Sequence, residues 1–449
     1  MILESIKKVN KLFAYFYAFF FEEIKSNIFL FLLFLPIYLF NRKEIRRLKK
    51  YPKHIRLRKI LESLGPTFIK LGQIFSLRVD LLPEKYLEEL SKLQDKGPEV
   101  EFEYLKKYLG KKIYAFEFIE PTPIGTGSIA QVHKGILKTG EKVAIKFIKP
   151  KVEEQIKTDL NILKKFLFFI EKLPFLKRFY KNLDLKKLFE EIKSSLLEEI
   201  NLENELSYIS LFRKSLNSKI CRIPKPFWDL SNEKVLVVEF IEGEKITDFV
   251  KNSKNDLTQV EDILSKLLKV TFKQLFELGY FHADLHPGNI IITKDKKICL
   301  IDFGIIGRVS RKLRLAHGLF AYGVVTKNEE IIFYSLKLAG LITDKTNTEG
   351  LKRHILKKLD KYLARPLKRI CLRDYIYEEI EAMKKYNVYF PEDLVLLLKT
   401  IVQLEGLIRY LYPDFILVSY LKPYVKNIFP KLMLEVFRYK IEEKIFENL

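Results

Sequence analysis

Cysteine is scarce in this 449-residue chain: Cys221, Cys299 and Cys371 are the three that occur. The number is odd and no Cys-x-x-Cys pair is present. A disulfide framework and a cysteine-built zinc site are thereby excluded, and a reducing compartment fits best. Long apolar runs are missing as well. Residues 12–21 (LFAYFYAFFF) and 28–40 (IFLFLLFLPIYLF) each fall short of the roughly 20 residues a helix needs to span a bilayer, and Pro36 interrupts the second. No small-residue cleavage site follows the first run, which argues against a secretory signal. Internal repeats and low-complexity tracts are also absent, so a repeat array is set aside.

Acidic residues are the minority charge. Lysine and arginine number 80 against 57 aspartates and glutamates, a net charge of +23. Such an excess attracts phosphates, nucleic acid or anionic lipid without choosing among them. Position narrows the choice. Directly after the second apolar run, Arg42, Lys43, Arg46, Arg47, Lys49, Lys50, Lys53, Arg56, Arg58 and Lys59 oppose only Glu44. An apolar stretch followed by a basic cluster is how a chain sits on an anionic membrane face. The alternative is a pair of buried core helices with a solvated basic edge. Nucleic acid is not an expected partner, because no aromatic-interleaved basic groove or nucleic-acid motif is present.

With 48% hydrophobic residues the chain can bury a large core, enough for two or three structural units. Gly65-Pro66 precedes a helical pattern over 67–77, and a second helical stretch covers 83–93 before Gly97-Pro98 breaks it. Strand character is expected at 113–119, 142–148 and 234–241. Between the last two, residues 151–213 are charged and helical in period. Val260, Ile263, Leu264, Leu267 and Thr271 recur at helical spacing, and Gly279 can close that helix. A hairpin is expected from 290–292 and 298–301, and the remainder is mostly helical. The order gives an α+β fold of two lobes. The expected segments are a membrane-proximal piece (1–60), a helical extension (61–112), a strand-bearing lobe with inserted helices (113–243) and a helical lobe (244–449).

Phosphoryl transfer needs a backbone cradle for phosphates, a cation on them, oxygen ligands for magnesium and a carboxylate at the acceptor. Each has a candidate, in the order a kinase fold requires. Gly125-Thr126-Gly127-Ser128-Ile129-Ala130-Gln131-Val132 is the cradle, a G-x-G-x-x-A pattern that is a weak signal alone, since a plain glycine turn between strands reads the same way. Strand alternation puts Ala144 and Lys146 on one face, the first leaving room for adenine and the second reaching the phosphates. Glu239 and Ile241 bracket the expected hinge where backbone meets adenine. His282-Ala283-Asp284-Leu285-His286-Pro287-Gly288-Asn289 is the strongest signal. Its Asp-to-Asn separation matches a kinase catalytic loop, with Asp284 orienting the nucleophile. Asp302-Phe303-Gly304 follows, so Asn289 and Asp302 are the expected magnesium ligands and ATP with Mg2+ the expected cofactors. A rival reading makes His282 and His286 metal ligands by their spacing, but Pro287 and Gly288 favour a loop over the helix it needs.

Together these motifs resemble the UbiB family, atypical kinase-like proteins tied to ubiquinone and other isoprenoid-quinone metabolism. Lys70-Leu71-Gly72-Gln73 matches that family's Lys-x-Gly-Gln motif, and the likeness extends over about 65–413. The resemblance implies a kinase-like fold whose N-terminal extension, carrying Lys70, Gly72 and Gln73, covers the nucleotide cleft. It implies that Lys146 pairs with a helix glutamate, matched by Glu205, with Glu199 assigned to Lys70. Lys146, Asp284 and Glu205 are then the candidate catalytic set. Two departures stand out. The family's Glu-x-Asp is Glu199-Ile200-Asn201 here, and its alanine-rich loop is replaced by Gly125-Thr126-Gly127. The implied activity is an ATPase or small-molecule kinase at the cytoplasmic face of a membrane, peripheral or N-terminally anchored. The implied partners are anionic lipid, isoprenoid or quinone intermediates and quinone-biosynthesis proteins. A protein Ser/Thr kinase and a non-catalytic nucleotide-binding scaffold are the competing readings. Against the former, no Ala-Pro-Glu follows Asp302-Phe303-Gly304.

Overall fold

The structure is a computed structural model that describes residues 2–25, 28–76, 82–93, 97–173, 184–216, 218–253, 256–343, 346–363, 385–386, 388, 392–415 and 417–447. Cys371 and Leu77 lie outside them. The chain divides into two compact units: Met1–Leu206 with Pro226–Phe240, and Ser207–Lys225 with Ile241–Leu449.

The first unit is built on an antiparallel sheet in the order Phe116–Ile119, Ala130–Leu137, Lys142–Ile148, Val235–Glu239, with Gly125–Thr126 paired to the second strand. Alternation drives it. Val143, Ile145 and Phe147 are fully buried and pack with Val235, Val237, Leu137, Leu105 and Leu109, while Ala144 and Lys146 take the opposite face. The strand expected from residue 113 begins at Phe116 instead. Gly110–Ala115 form a 3-10 turn that continues the helix Phe102–Leu109.

The helical stretch expected over 151–213 is interrupted. Its described parts are Val152–Glu171, Leu185–Glu199 and Leu202–Ser215, and residues 174–183 lie outside the description. The break at Ile200-Asn201 has a local cause. Asn201 Oδ1 accepts from Glu203 N at 3.0 Å, capping the helix that follows. Aspartate and asparagine cap equally well, so this departure from Glu-x-Asp keeps the helix start while removing a charge.

The membrane-proximal segment is more internal than its composition suggests. In the helix Ile2–Phe19, Ala14, Tyr15, Phe16, Tyr17 and Ala18 are buried. Phe13 and Phe16 make edge contacts with Phe166 and Phe169 of Val152–Glu171. This first apolar run is therefore core. Part of the basic cluster is also internal. Arg56 donates to Ala18 O at 2.6 Å, Tyr51 O at 3.0 Å, and Leu48 O and Lys49 O at 3.2 Å each, gathering carbonyls that helix ends leave unmatched. Arg58 pairs with Glu89 at 2.9 Å and with Glu62 at 2.5 Å. Leu39 (60% exposed) and Phe40 (87%) stand at the surface beside exposed Arg42, Lys43, Arg46 and Arg47. Among the described residues, no helix is long and apolar enough to cross a membrane.

The second unit is mainly helical, with short strands placing its loops. The helix Leu257–Phe272 runs on through a π-helical turn, Lys273–Leu278, to Gly279 in the left-handed conformation (φ 78°). Ile290–Thr293 and Ile298–Leu300 form the expected hairpin. Flanking it are Gly243–Lys245, and Cys221–Arg222 in parallel. Tyr280–His282 and Ile306–Arg308 pair antiparallel, two strands that composition did not suggest. The helices Arg311–Thr326, Glu329–Leu338 and Leu417–Glu447 share a core of Leu315, Ala316, Leu319, Leu338, Leu432 and Val436.

Within that core, His317 keeps an edge at the surface yet is desolvated enough to fall from the usual 6.5 to about 4. Its Nδ1–H donates to Leu313 O at 2.7 Å. Because the folded value is the lower one, the unfolded chain binds this proton more readily. The histidine's contribution is intact above about pH 6.5 and is lost as pH falls towards 4. Between pH 6.5 and 5, His317→Gln is expected to lose on the order of 1 kcal/mol less stability than wild type in denaturant unfolding. Identical pH slopes would exclude this titration.

Candidate active site

In the first unit, Lys146 Nζ stands 2.8 Å from Glu205 Oε2, with the glutamate 7% and the lysine 22% exposed at the side chain. The strand register sets Lys146 opposite Leu236 and Ala144 opposite Val238. Glu239 ends that strand, opposite Val143, and Phe240 N donates to Lys142 O at 2.9 Å. Ile241 begins the next stretch of the second unit.

The extension's motif is explained residue by residue. Lys70 is ion-paired with Glu199. A Cβ on Gly72 would meet Leu93 Cδ1 at 2.2 Å and Leu61 Cδ1 at 2.8 Å, so any larger residue would force both leucine side chains to shift. Gln73 Nε2 donates to Leu93 O at 3.1 Å. Glu199 and Glu205 thus serve different lysines, and they lie in separate helices rather than one continuous helix.

The glycine loop is fastened to the chain that leaves the extension. Lys149, 5% exposed, donates to Pro98 O at 2.6 Å and also to Gly127 O. Gly127 N donates to Ala130 O at 2.9 Å, and Ser128 is buried. Thr126 Oγ1 is 3.4 Å from Gly97 O. Gln131, fully buried, accepts from Val100 N at 2.9 Å and donates to Val100 O at 3.0 Å, as a neighbouring strand would. His133 Nδ1–H donates to Glu120 O at 2.8 Å, which leaves Nε2 to accept from Gln131 at 2.9 Å. Sequence reasoning missed Lys149 altogether, and placed Gln131 in the cradle and Gly97 at a helix break without seeing that they tether the loop. A signal existed in the polar residues at inward positions of the strand Ala130–Leu137. Gly125 differs from Gly97: a Cβ there would meet nothing within 4 Å, and its φ is not positive. Neither neighbours nor backbone demand glycine at 125, as expected where a ligand comes close.

In the second unit, Asn289 Nδ2 donates to Asp284 Oδ2 at 3.0 Å and to Asp284 O at 3.2 Å. The amide nitrogen is thereby turned to Asp284, and the amide oxygen is the atom Asn289 can offer a cation. His282 is buried and held below its usual range by desolvation, opposed by the charges of Asp284 and Asp302. Its Nδ1 accepts from Asp284 N at 3.3 Å, and its Nε2–H donates to Ile301 O at 3.3 Å. Its backbone N–H donates to Gln274 Oε1 at 2.9 Å. One neutral tautomer satisfies this arrangement and links both acidic segments. His286, by contrast, is exposed, and its Nδ1 accepts from Gly288 N at 3.1 Å. Phe303 is fully buried between the rings of Phe212 (5.1 Å) and His282 (5.2 Å). Asp302 adopts φ 61°, left-handed backbone that costs a non-glycine residue of the order of 1–3 kcal/mol. Asn289 and Asp302 could offer a cation hard oxygen donors, the type magnesium prefers, and magnesium with few protein ligands keeps waters and substrate phosphates in its shell.

Fold and motifs together define a kinase-like protein of mixed helix and sheet. The family profile of the ABC1 atypical kinase-like domain matches residues 92–335, and that of the UbiB helical domain matches 355–416. The probable protein kinase UbiB of Marinobacter nauticus is 31% identical over 422 residues, covering 90% of this chain and 74% of the relative. That of Azotobacter vinelandii is 31% identical over 416 residues, covering 89% and 76%. An uncharacterized protein from the hydrogenase 1 5′ region of Clostridium pasteurianum is 37% identical over 386 residues, covering 84% and 71%. Among solved structures, the erythromycin complex of Rv3197 from Mycobacterium tuberculosis shares the fold. It has a TM-score of 0.50 and 22% identity, and covers 79% of this chain and 94% of that one. The chain belongs to the UbiB family of ABC1 atypical kinase-like proteins.

The clamp on the glycine loop is testable through Gly97. A Cβ there would lie 2.5 Å from Gly127 O and 3.0 Å from Ser128 Cα. Backbone yields less readily than a side chain, so Gly97→Ala is expected to destabilise by about 1–3 kcal/mol in denaturant unfolding. Gly406→Ala, in an exposed helix position with nothing near its Cβ, is expected to be neutral or stabilising by about 0.5–1 kcal/mol. Equal effects of the two would show that 97–98 does not press on the loop.

Proposed function

We propose that this protein is an ATP- and magnesium-dependent atypical kinase or ATPase acting at the cytoplasmic face of a membrane in support of ubiquinone or related isoprenoid-quinone biosynthesis. The observation that carries the enzymatic part is the loop around Asp284. Asn289 holds the Asp284 carboxylate through one oxygen, and neutral His282 ties the same loop to the segment preceding Asp302. Asp284 orients an attacking water or hydroxyl and receives its proton. Lys146, kept in place by Glu205, neutralises charge on the phosphates, and the backbone of Gly125–Thr126 and the residues after it cradles them. Asn289 and Asp302 would hold magnesium, which would screen the charge on the phosphate oxygens. The quinone class is carried over from the family alone.

Support for the membrane part is narrower than composition suggested. With the helix Ile2–Phe19 in the core and Arg56 engaged internally, the contact surface is Leu39, Phe40 and the outer face of Arg42–Lys49. Apolar tips flanked by exposed arginines suit the interface of an anionic bilayer.

Two measurements test these statements. Purified protein is expected to turn over ATP with magnesium, more so with lipid and quinone precursors, and Lys146→Met or Asp302→Asn to lower turnover by about 100-fold or more. No turnover by wild type under any of these conditions rejects the enzyme. Efficient transfer to protein hydroxyls favours a protein kinase, and full quinone synthesis with Asp284→Asn favours a scaffold. Anionic liposomes are expected to retain wild type and to release Leu39→Glu/Phe40→Glu at moderate salt. Equal retention removes the proposed contact surface.

A further inference from the structure

A lysine outside every motif sits behind the Asp284 loop. Lys399 belongs to the helix Glu392–Leu411, which falls within the UbiB helical domain. It is 9% exposed, among buried Leu397, Thr400 and Leu404, and its Nζ donates to Ala283 O at 3.2 Å across 116 positions of sequence. We propose that Lys399 is a positioning residue of the catalytic loop, fixing the Ala283 carbonyl and with it the direction in which the adjacent Asp284 side chain is presented. The proposal rests on the reading that Asp284 orients the nucleophile.

Energetics exclude simple packing as the reason for a lysine here. Burying an ammonium costs several kcal/mol, and one neutral carbonyl does not repay it. A methionine would fill the same space without that cost. Burial brings Lys399 down from 10.5 to about 8, and Asp284 is the group that pulls it back up. One turn further along the same helix face, Gln403 Oε1 is buried with no hydrogen-bond partner among the described residues. This face thus carries polarity that the fold does not consume. The two family profiles, 92–335 and 355–416, each hold one partner of the Lys399–Ala283 contact. Completing the catalytic loop is then one task of the helical domain.

The test uses the full chain with Lys399→Met, Lys399→Arg, Asp284→Asn and the double variant Lys399→Met/Asp284→Asn. Lys399→Met is expected to lower kcat for ATP turnover at least about tenfold while KM for ATP stays within about twofold, since the nucleotide-binding groups are untouched. Lys399→Arg should recover most of kcat. In denaturant unfolding, Asp284→Asn should lower the midpoint in the wild-type background, where it strands an ammonium. It should raise the midpoint in the Lys399→Met background, where it removes a stranded carboxylate. Wild-type kcat in Lys399→Met, or equal midpoint shifts of Asp284→Asn in both backgrounds, overturns the proposal. Lys399→Gln serves as the charge-free variant should Lys399→Met not fold. An inactive wild type rejects the ATP reading on its own, while the unfolding cycle still decides whether Lys399 and Asp284 are coupled.

Discussion

An ammonium taken out of water must meet an acceptor, and four lysines governed by that rule organise this protein. Lys146 meets Glu205, Lys70 meets Glu199, Lys149 meets the carbonyls of Pro98 and Gly127, and Lys399 meets that of Ala283. Most of the basic excess lies at the surface, where an ion pair contributes about 0–1 kcal/mol. Removing one partner of a buried pair costs about 3–5 kcal/mol, because the other charge is stranded. The pairs of Lys146 and Lys70 are partly exposed and fall between these limits. Lys149 and Lys399 are more buried and donate to neutral carbonyls, which compensate an ammonium less than a carboxylate does. Stability alone would favour an apolar side chain at position 399.

Lys149 and Gln131 also change what a glycine loop means here. Such loops usually stand clear of the sheet and close over phosphate through their own flexibility. In this protein Gly127 and Val100 are tied to neighbouring segments by buried side chains, and Gly97 lies against the loop's backbone. Movement of residues 125–128 therefore displaces 97–100 as well. Leu93, just before that segment, is held by Gln73.

The parts of this protein legible in its sequence are those written in short-range pattern. Alternation placed the strand carrying Ala144 and Lys146, the hairpin followed from two β-rich runs around a polar turn, and ordered motifs sufficed for the family. Three kinds of feature stayed hidden. The run at 12–21 reads as membrane-seeking because aromatic density looks alike whether its partners are lipid tails or Phe166 and Phe169. Arg56 and Arg58 read as surface charge because composition cannot see the carbonyls and Glu89 they meet. Lys399 is one lysine among many until the fold sets it against a loop far away in sequence. In each case a distant partner decides, and local pattern carries no record of it.

The placement of Asn289 beside Ile301, the residue before Asp302, shows how pattern becomes geometry. Thirteen positions separate them, and the chain between runs out and back as a hairpin. Its register pairs Leu300 with Ile290, and the next rung follows, with Ile301 N donating to Asn289 O at 3.0 Å. Asn289 therefore precedes the hairpin at the level where Asp302 leaves it. Outside this loop a second pairing, His282 with Ile306, returns the chain to its starting point, so Asp284 and Asp302 are enclosed by one closed segment. The turn at 294–297 can vary in length without moving the acids, since it lies at the hairpin's far end. A one-residue slip in register would turn one strand's side chains over relative to the other's and change how Asn289 and Asp302 face each other. The relative placement of Asn289 and Asp302 thus depends on the buried residues Ile290, Ile292, Ile298, Cys299 and Leu300 that hold the hairpin.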